Sequence, residues 1–479
     1  MLFSSPIFLY LFLPLVLLLT YLSPKKIQNY TLLIASLLFY AWGGVSFLAL
    51  LMTSVTLNYT FGLLVNYAKT QRRKTIFLGI GVVLNLSLLV YFKYANFIVF
   101  NLKESGFYSG ELSKIILPIG ISFFTFHAMS YLIDVYRDQA HIQNNFAKLT
   151  LYLSLFPQLI AGPIVRYKDV DKQIESRSMS VDKFSSGIRR FMLGLMRKVL
   201  IANPMALIAD QAFNSDPHSL SIAMAWLGII AYSVQIYYDF AGYSDMALGL
   251  GRMLGFEFLE NFNFPYIAKS IKDFWHRWHI SLSTWFRDYL YIPLGGNRLG
   301  GVRTYVNLAI VFFLTGLWHG AAWNFVVWGL IHGFFLIIER LGFEKFIKRF
   351  PTIIQHLYTL LVVLFAWIFF RANDFAHAIK YIKAMFGQFD FAFNNISVLE
   401  FVNYDTIIIL TIAFLGATPI FETLIKKWNN FHNNHISFLS TISLHSYQLA
   451  SIFFLIFGLL YSTMQLITNS YNPFIYFRF

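Results

Sequence analysis

Apolar runs of about twenty residues recur from one end of this chain to the other, and a helix of that length crosses the hydrocarbon core of a bilayer. Candidate spans lie near 3–22, 29–43, 45–67, 75–99, 115–134, 187–212, 220–250, 303–318, 323–339, 352–370, 402–425 and 447–469. Charged residues make up only 13% of the chain, against about 25% in soluble domains. The pattern predicts an all-α polytopic membrane protein, because in lipid every backbone polar group has to be met within a helix. The windows 29–43 and 303–318 are short, so they are expected to tilt or to be partly buried. The stretch LTLYLSLFPQLIAGP (149–163) is apolar but broken by proline. It reads as a re-entrant piece, which survives at depth only when packed in protein or lining a cavity.

The basic residues set orientation. With the N-terminus outside, Lys25 and Lys26, KTQRRK (69–74), the segments 166–198 and 252–303, Arg340–Arg349 and Lys426–Lys427 all fall inside. That places about 30 of the 37 Lys and Arg on the cytoplasmic face, following the positive-inside rule. The net charge of +14 is read in that light and not as a nucleic-acid surface. The opening segment has no basic n-region and reads as a retained first helix, not a cleavable signal. With no cysteine, disulfides, acyl-cysteine intermediates and thiolate metal sites are excluded. No repeat or long linker stands out, so residues 1–479 read as one membrane domain.

Several polar residues stand where an apolar run would exclude them. FFLTGLWHGAAWNFVVWGLIHG (312–333) holds His319, a functional candidate by position alone, though a core histidine bonded between helices is an equal reading. Its neighbours Gly316, Gly320, Ala321 and Ala322 allow a backbone or thin ligand to come close. His332 lies about 220° further round the helix and reads as packing. In IKDFWHRWHISLSTWFRDYLYIPLGGNRLGG (271–301), Trp275, Trp278, Leu282 and Trp285 form a stripe expected of one helix lying on the inner leaflet, with His279 beside it. His276 and His279 lack a third ligand of convincing spacing, so no metal is expected. Asp239 and Asp245, inside IYYDFAGYSDMALGLGRMLGF (236–256), need partners such as arginine or hydroxyls. FPQLIAGPIVRY (156–167) ends on Arg166. The loop GGNRLGG (295–301) reads as a turn ahead of a phosphate cradle.

The chain ends NPFIYFRF (472–479), where frayed polar residues are the rule. With the last helix running outward, residues 470–479 are extracytoplasmic. Taken without any wider resemblance, the four rings are an interfacial anchor.

Taken together and in this order, MLFSSPIFLYLFLPL, FHAMSYLIDVYR (126–137), FPQLIAGPIVRY, IYYDFAGYSDMALGLG, FWHRWHISLSTWFRDYLYIPLGGNR and FLTGLWHGAAWNFVVWG resemble the membrane-bound O-acyltransferase family over nearly the whole chain. The resemblance is to the bacterial branch that O-acetylates alginate and peptidoglycan. It implies a ring of about 11–12 tilted helices around a central funnel, with re-entrant and interfacial helices, in a bacterial inner membrane. Its essential histidine matches His319, and its second polar position matches His279. In a related system that D-alanylates teichoic acids, a small partner ends in Phe-x-Tyr-x-x-Phe. Phe474, Tyr476 and Phe479 match that pattern. The implied activity passes acetyl from cytosolic acetyl-CoA through Tyr476, between tail anchors Phe474 and Phe479, to an extracytoplasmic glycan. A separate extracytoplasmic O-acetyltransferase would complete delivery, and no tightly bound cofactor is implied. Trp278, Arg287, Asn297 and Trp318 are candidates for holding the donor. Rich Phe, Ile, Asn and Lys usage tilts the acceptor toward peptidoglycan, ahead of an alginate-like exopolysaccharide. Competing expectations are a lipid acceptor, or a non-enzymatic transporter of acetyl or glycan precursors.

Overall fold

The computed structural model describes residues 1–110, 113–160, 162–388, 396–434, 438–469 and 471–475, without the side chains of 429, 431–434 and 438–445. Among these residues helix dominates, and the only extended pairing is an isolated bridge between Leu220 and Ile396. The first half contains α1 (Leu13–Leu22), α2 (Gln28–Ala41), α3 (Val45–Tyr67), α4 (Gln71–Leu89), α5 (Ala95–Glu104), α6 (Ile121–Tyr136), α7 (Phe146–Ser154), α8 (Phe156–Leu159), α9 (Tyr167–Glu175), α10 (Val181–Met196) and α11 (Asn203–Asn214). The second half contains α12 (Ile222–Met253), α13 (Ile271–Arg277), α14 (Ile280–Phe286), α15 (Gly301–His319), α16 (Trp323–Ile338), α17 (Glu344–Ile347), α18 (Thr352–Arg371), α19 (Phe375–Met385), α20 (Tyr404–Gly416), α21 (Ile420–Asn434) and α22 (Phe438–Thr468).

Seven helices among the described residues are long and apolar enough to cross a membrane, or eight if the bent pair of α20 and α21 counts as one span. Twelve hydropathy windows are candidates, and the family resemblance implies about 11–12 helices. The difference has physical causes. The window 29–43 is a helix of only 14 residues, and α6 has 16. The segment 402–425 is bent by 63° at its break. The 32-residue α12 would reach about 48 Å, yet it carries Gln235, Asp239, Ser244 and Asp245 and is buried almost throughout from Met224 to Met253. A helix enclosed by protein has no need of an apolar surface.

That enclosure depends on close approach by α10. Gly187 and Gly194 are two turns apart, as are Gly242 and Gly249, and they meet in antiparallel register. A Cβ on Gly194 would fall 2.5 Å from the Gly242 carbonyl oxygen, and one on Gly249 would fall 2.6 Å from that of Gly187. Such small-residue contacts let helices pack where lipid supplies no hydrophobic drive. The contact turns the basic face of α10 onto the acidic face of α12. Arg190 pairs with Asp245 at 2.8 Å, and Arg197 closes on the same carboxylate. Asp239 takes Lys198, a lysine where an arginine or hydroxyl was expected, at 2.8 Å.

The proline-broken stretch holds α7 and α8 and is buried throughout its described residues from Leu149 to Ile160. The Tyr152 hydroxyl donates to the Val165 carbonyl at 2.9 Å, and the Ile164 N–H donates to Ser281 Oγ at 2.9 Å. Irregular backbone at this depth is met by protein groups. The polar stretch after Arg371 contains α19, docked through Tyr381, whose hydroxyl donates to the Ala225 carbonyl at 2.8 Å.

Replacing Gly194 with Leu should push α10 from α12 and strain the charge pairs between them. Overpacking of this kind costs about 1–3 kcal/mol. The expected result is a lower melting temperature and less monodisperse protein by size-exclusion chromatography.

Candidate functional site

His319 is the last residue of α15, where the helix runs out at Gly320. Two glycines explain how this end is placed. A Cβ on Gly316 would sit 2.4 Å from the Phe325 carbonyl oxygen, and one on Gly329 would sit 2.2 Å from that of Phe312. The close backbone foreseen beside His319 is therefore α16. Asn324 then ties the start of α16 to the end of α18, donating to the carbonyls of Ala372 at 2.8 Å and Phe369 at 3.2 Å. As a result the His319 ring sits 4.9 Å from those of Trp318 and Trp328 and 5.2 Å from that of Phe370.

Lys93 completes the support, and the sequence reading missed it. It is buried, and its ammonium donates to the carbonyl of Trp318, to that of His319 at 3.4 Å and to Ser122 Oγ at 3.2 Å. The last carbonyls of a helix have no partner within it and carry the negative end of its dipole. One ammonium meets both needs. The available signal was a single lysine inside the apolar run VYFKYANF (90–97), which deserved the scrutiny given to His319.

The tryptophan stripe differs from expectation. The helix is broken between α13 and α14, and His279 at the break has φ +44°. Left-handed backbone in a bulky residue is costly and needs enforcement by its surroundings. Here Asn261 enforces it, because its carbonyl accepts the Ile280 N–H at 2.9 Å. Its side-chain Oδ1 accepts the Ser281 N–H at 3.2 Å and Ser281 Oγ at 2.9 Å. Trp275, Trp278, Leu282 and Trp285 are all buried against protein and do not lie on a leaflet. Trp278 packs 5.0 Å from Trp367. The break is what turns His279 inward.

His279 Nδ1 lies 3.1 Å from the same Asn261 Oδ1. An acceptor already fixed by two donors accepts from Nδ1 as N–H, which leaves Nε2 as the lone-pair nitrogen of a neutral ring. That Nε2 is buried with no hydrogen-bond partner among the described residues. The His279 and His319 rings stand 6.4 Å apart.

Cavities lie near this pair. A large one of about 770 Å³ is lined by Arg189, Arg190, Arg197 and Arg252, and its wall includes Asn261 and Ile280, the hydrogen-bond partner and chain neighbour of His279. A cavity of about 130 Å³ is bordered by Lys93, Trp318 and His319. A neighbouring one of about 370 Å³ runs past Gly320, Ala322 and Arg371. A gap of about 10 Å³ is lined by Phe240, Trp278, His319, Trp367, Phe370 and Ile475. The C-terminal segment thus enters the interior and reaches the wall of the His319 site. Phe474 is buried, its ring 4.5 Å from that of Tyr243. Tyr476 and Phe479 lie outside the described residues.

A profile of the membrane-bound O-acyltransferase family matches residues 72–376, which include both histidines. The chain belongs to the membrane-bound O-acyltransferase family. It is 42% identical, over the full length of both chains, to a probable alginate O-acetylase of Pseudomonas putida. It is 36% identical to a peptidoglycan O-acetyltransferase of Helicobacter pylori, over 88% of this chain and 87% of that one. A teichoic acid D-alanyltransferase of Bacillus subtilis is 29% identical over 54% of this chain and 70% of its own. The chain is an integral, multi-pass membrane O-acyltransferase.

Within the O-acyltransferase, the other predicted residues divide. Trp278 and Trp318 border the His319 cavities. Arg287 and Asn297 are exposed and line none of the cavities described above. Arg287 pairs with Asp288 at 2.8 Å. Partial burial pushes the Asp288 carboxyl up, but the Arg287 bond and the charges of Arg166 and Lys168 hold it below its ordinary value. The 295–301 loop is a turn, with the N–H groups of Gly295, Gly296 and Arg298 donating to the carbonyls of Ile292, Tyr291 and Gly295, and Asn307 donating to the Gly296 carbonyl at 3.0 Å. His332 is fully buried among Phe274, Trp275 and Trp328, a packing role.

Lys93→Met should leave the last carbonyls of α15 unmet in a buried place, which costs about 1–3 kcal/mol, and let the His319 ring drift. Acyl transfer measured on purified protein should fall about 10- to 100-fold, with the amount of protein inserted in the membrane little changed.

Proposed function

We propose that this O-acyltransferase takes acetyl from cytosolic acetyl-CoA, loads it onto Tyr476 and exports it for O-acetylation of an extracytoplasmic glycan. It is a membrane O-acetyltransferase of the alginate and peptidoglycan type. One observation carries the route: Ile475 lines the same small gap as His319, and Tyr476 is the next residue in the chain.

Acetyl-CoA approaches through the arginine-lined cavity, whose four arginines are matched by Asp182, Asp245, Glu260 and Glu422, so a guanidinium free of those carboxylates is what suits the CoA phosphates. Arg190 and Arg197 are committed to Asp245, whereas Arg189 is exposed and has no ion pair among the described residues. Arg189 is the guanidinium left to bind phosphate. His279, with its lone pair on Nε2, accepts an N–H from the pantetheine arm and orients the thioester. His319 takes the phenol proton of Tyr476 as the oxygen attacks the thioester carbon. The C–S bond breaks, and the proton passes to the departing thiolate. General base catalysis of this kind is worth about 10²–10⁴-fold. A phenol ionises near pKa 10, so the acetyl-tyrosine keeps enough transfer potential for a second step. In that step a separate extracytoplasmic transferase moves acetyl to a sugar hydroxyl and returns the phenol.

The residues 1–479 act as one membrane domain in the cytoplasmic membrane of a bacterium, with the tail on the outer side. Residue usage favours peptidoglycan as acceptor, while higher identity to named alginate acetylases favours an alginate-like exopolysaccharide. Analysis of acetylated sugars in a deletion strain separates the two.

Tyr476→Phe should abolish glycan acetylation while the protein accumulates in the membrane, and His319→Ala should stop acetyl-CoA turnover. Wild-type acetylation by the first variant removes the tyrosine relay, and unchanged turnover by the second removes His319 as base. Arg189→Gln should raise KM for acetyl-CoA about tenfold, the loss of one charge-assisted hydrogen bond, with kcat preserved.

A further inference from the structure

The ion pair of Lys198 and Asp239 is 1% and 2% exposed, a burial that demands a partner for every hydrogen-bonding valence. A lysine ammonium has three donors. Here the ammonium donates to Asn203 Oδ1 at 2.7 Å and to the carbonyl of Pro473, and stands 2.8 Å from Asp239 Oδ1 as an ion pair. The other Asp239 oxygen, Oδ2, accepts the N–H of Ile475 at 2.8 Å. Each member of the pair therefore spends one bond on the backbone of the C-terminal segment, two residues apart. Phe474, between the two gripped peptide groups, is buried on Tyr243. Asn472 adds bonds to Asn203 at 3.2 Å and to Ser4 Oγ at 3.1 Å.

We propose that Lys198 and Asp239 form a two-point backbone clamp that fixes residues 473–475 and so sets the reach of the chain's last residues toward His319. The clamp deepens the relay through Tyr476 and rests on it for its catalytic meaning, but the grip itself is independent of which residue follows. Both members are positioning residues, since neither is asked to touch the acetyl group. The ammonium meets a carbonyl and the carboxylate meets an N–H, so the clamp reads peptide polarity and not side-chain identity. An ion pair that merely held α12 to the neighbouring helix would work equally well with its charges exchanged. The clamp would not, because a carboxylate would then face the Pro473 carbonyl and an ammonium the Ile475 N–H.

The absence of native cysteine allows a direct test. Ile475→Cys is introduced alone, together with Lys198→Asp/Asp239→Lys, and together with the neutral pair Lys198→Met/Asp239→Asn. Full-length proteins in nanodiscs are treated with a bulky maleimide, and glycan acetylation is measured in cells. In the parent, Cys at 475 should be protected. The exchanged pair should fold, yet label about tenfold faster or more, as expected for loss of charge-assisted bonds to the tail, and acetylation should fall in step. If the exchanged pair does not accumulate, the neutral pair decides by the same labelling rate. Protection equal to the parent in the folded variant overturns the clamp. Normal acetylation by Tyr476→Phe would instead remove the relay and leave the labelling result to judge the clamp by itself.

Discussion

Close contact between α10 and α12 is the constraint from which the rest of the structure follows. Glycines two turns apart on each helix bring the backbones together, and that approach is what sets five charged side chains against one another. Asp245 is answered by Arg190 and Arg197, and Asp239 by Lys198. Buried pairs add little net stability, but removing one partner costs about 3–5 kcal/mol. The interface therefore specifies a register more than it adds to stability. One end of that register forms a wall of the arginine-lined cavity, and the other holds the C-terminal segment.

A second constraint concerns helix ends. Three of the elements at the site stop or break inside the protein: α15 at His319, α13 at Arg277 and α14 at its start after His279. Each end exposes backbone groups that lipid cannot satisfy. Lys93 meets the carbonyls at the end of α15, and Asn261 meets the N–H groups at the start of α14. The same bonds orient the two histidine rings. Site geometry and helix termination are thus one problem here, with polar residues placed for both.

Much of the fold could be read from residues alone, because hydropathy is a local property. The spans 45–67, 303–318, 323–339 and 352–370 correspond closely to α3, α15, α16 and α18. The candidate windows and the helices apolar enough to span differ where apolar character and burial part company, as in α12, whose polar residues are hidden by neighbours. The site was partly legible. His319, His279, Trp278 and Trp318 come together, and Phe474 is buried against Tyr243. Arg287 and Asn297 do not join them. The inner-leaflet reading of the tryptophan stripe failed because a 3.6-residue period assumes an unbroken helix, and the turn at His279 depends on Asn261, eighteen residues away. Lys93 and Lys198 were passed over because each is a single cation whose meaning depends on what faces it.

From the residues alone came the solvent this chain must live in, the inward side of its basic loops as an expectation, and the histidine that has no ordinary reason to sit in an apolar run. These rest on composition and local order, which survive any arrangement of the helices. Tertiary structure decided which buried charge answers which, that the tryptophan stripe bends inward, and that the backbone at Pro473 and Ile475 is gripped by Lys198 and Asp239. Those outcomes are pairings between segments up to 275 residues apart. A pairing has no local signature, since either partner alone looks only like a polar residue out of place.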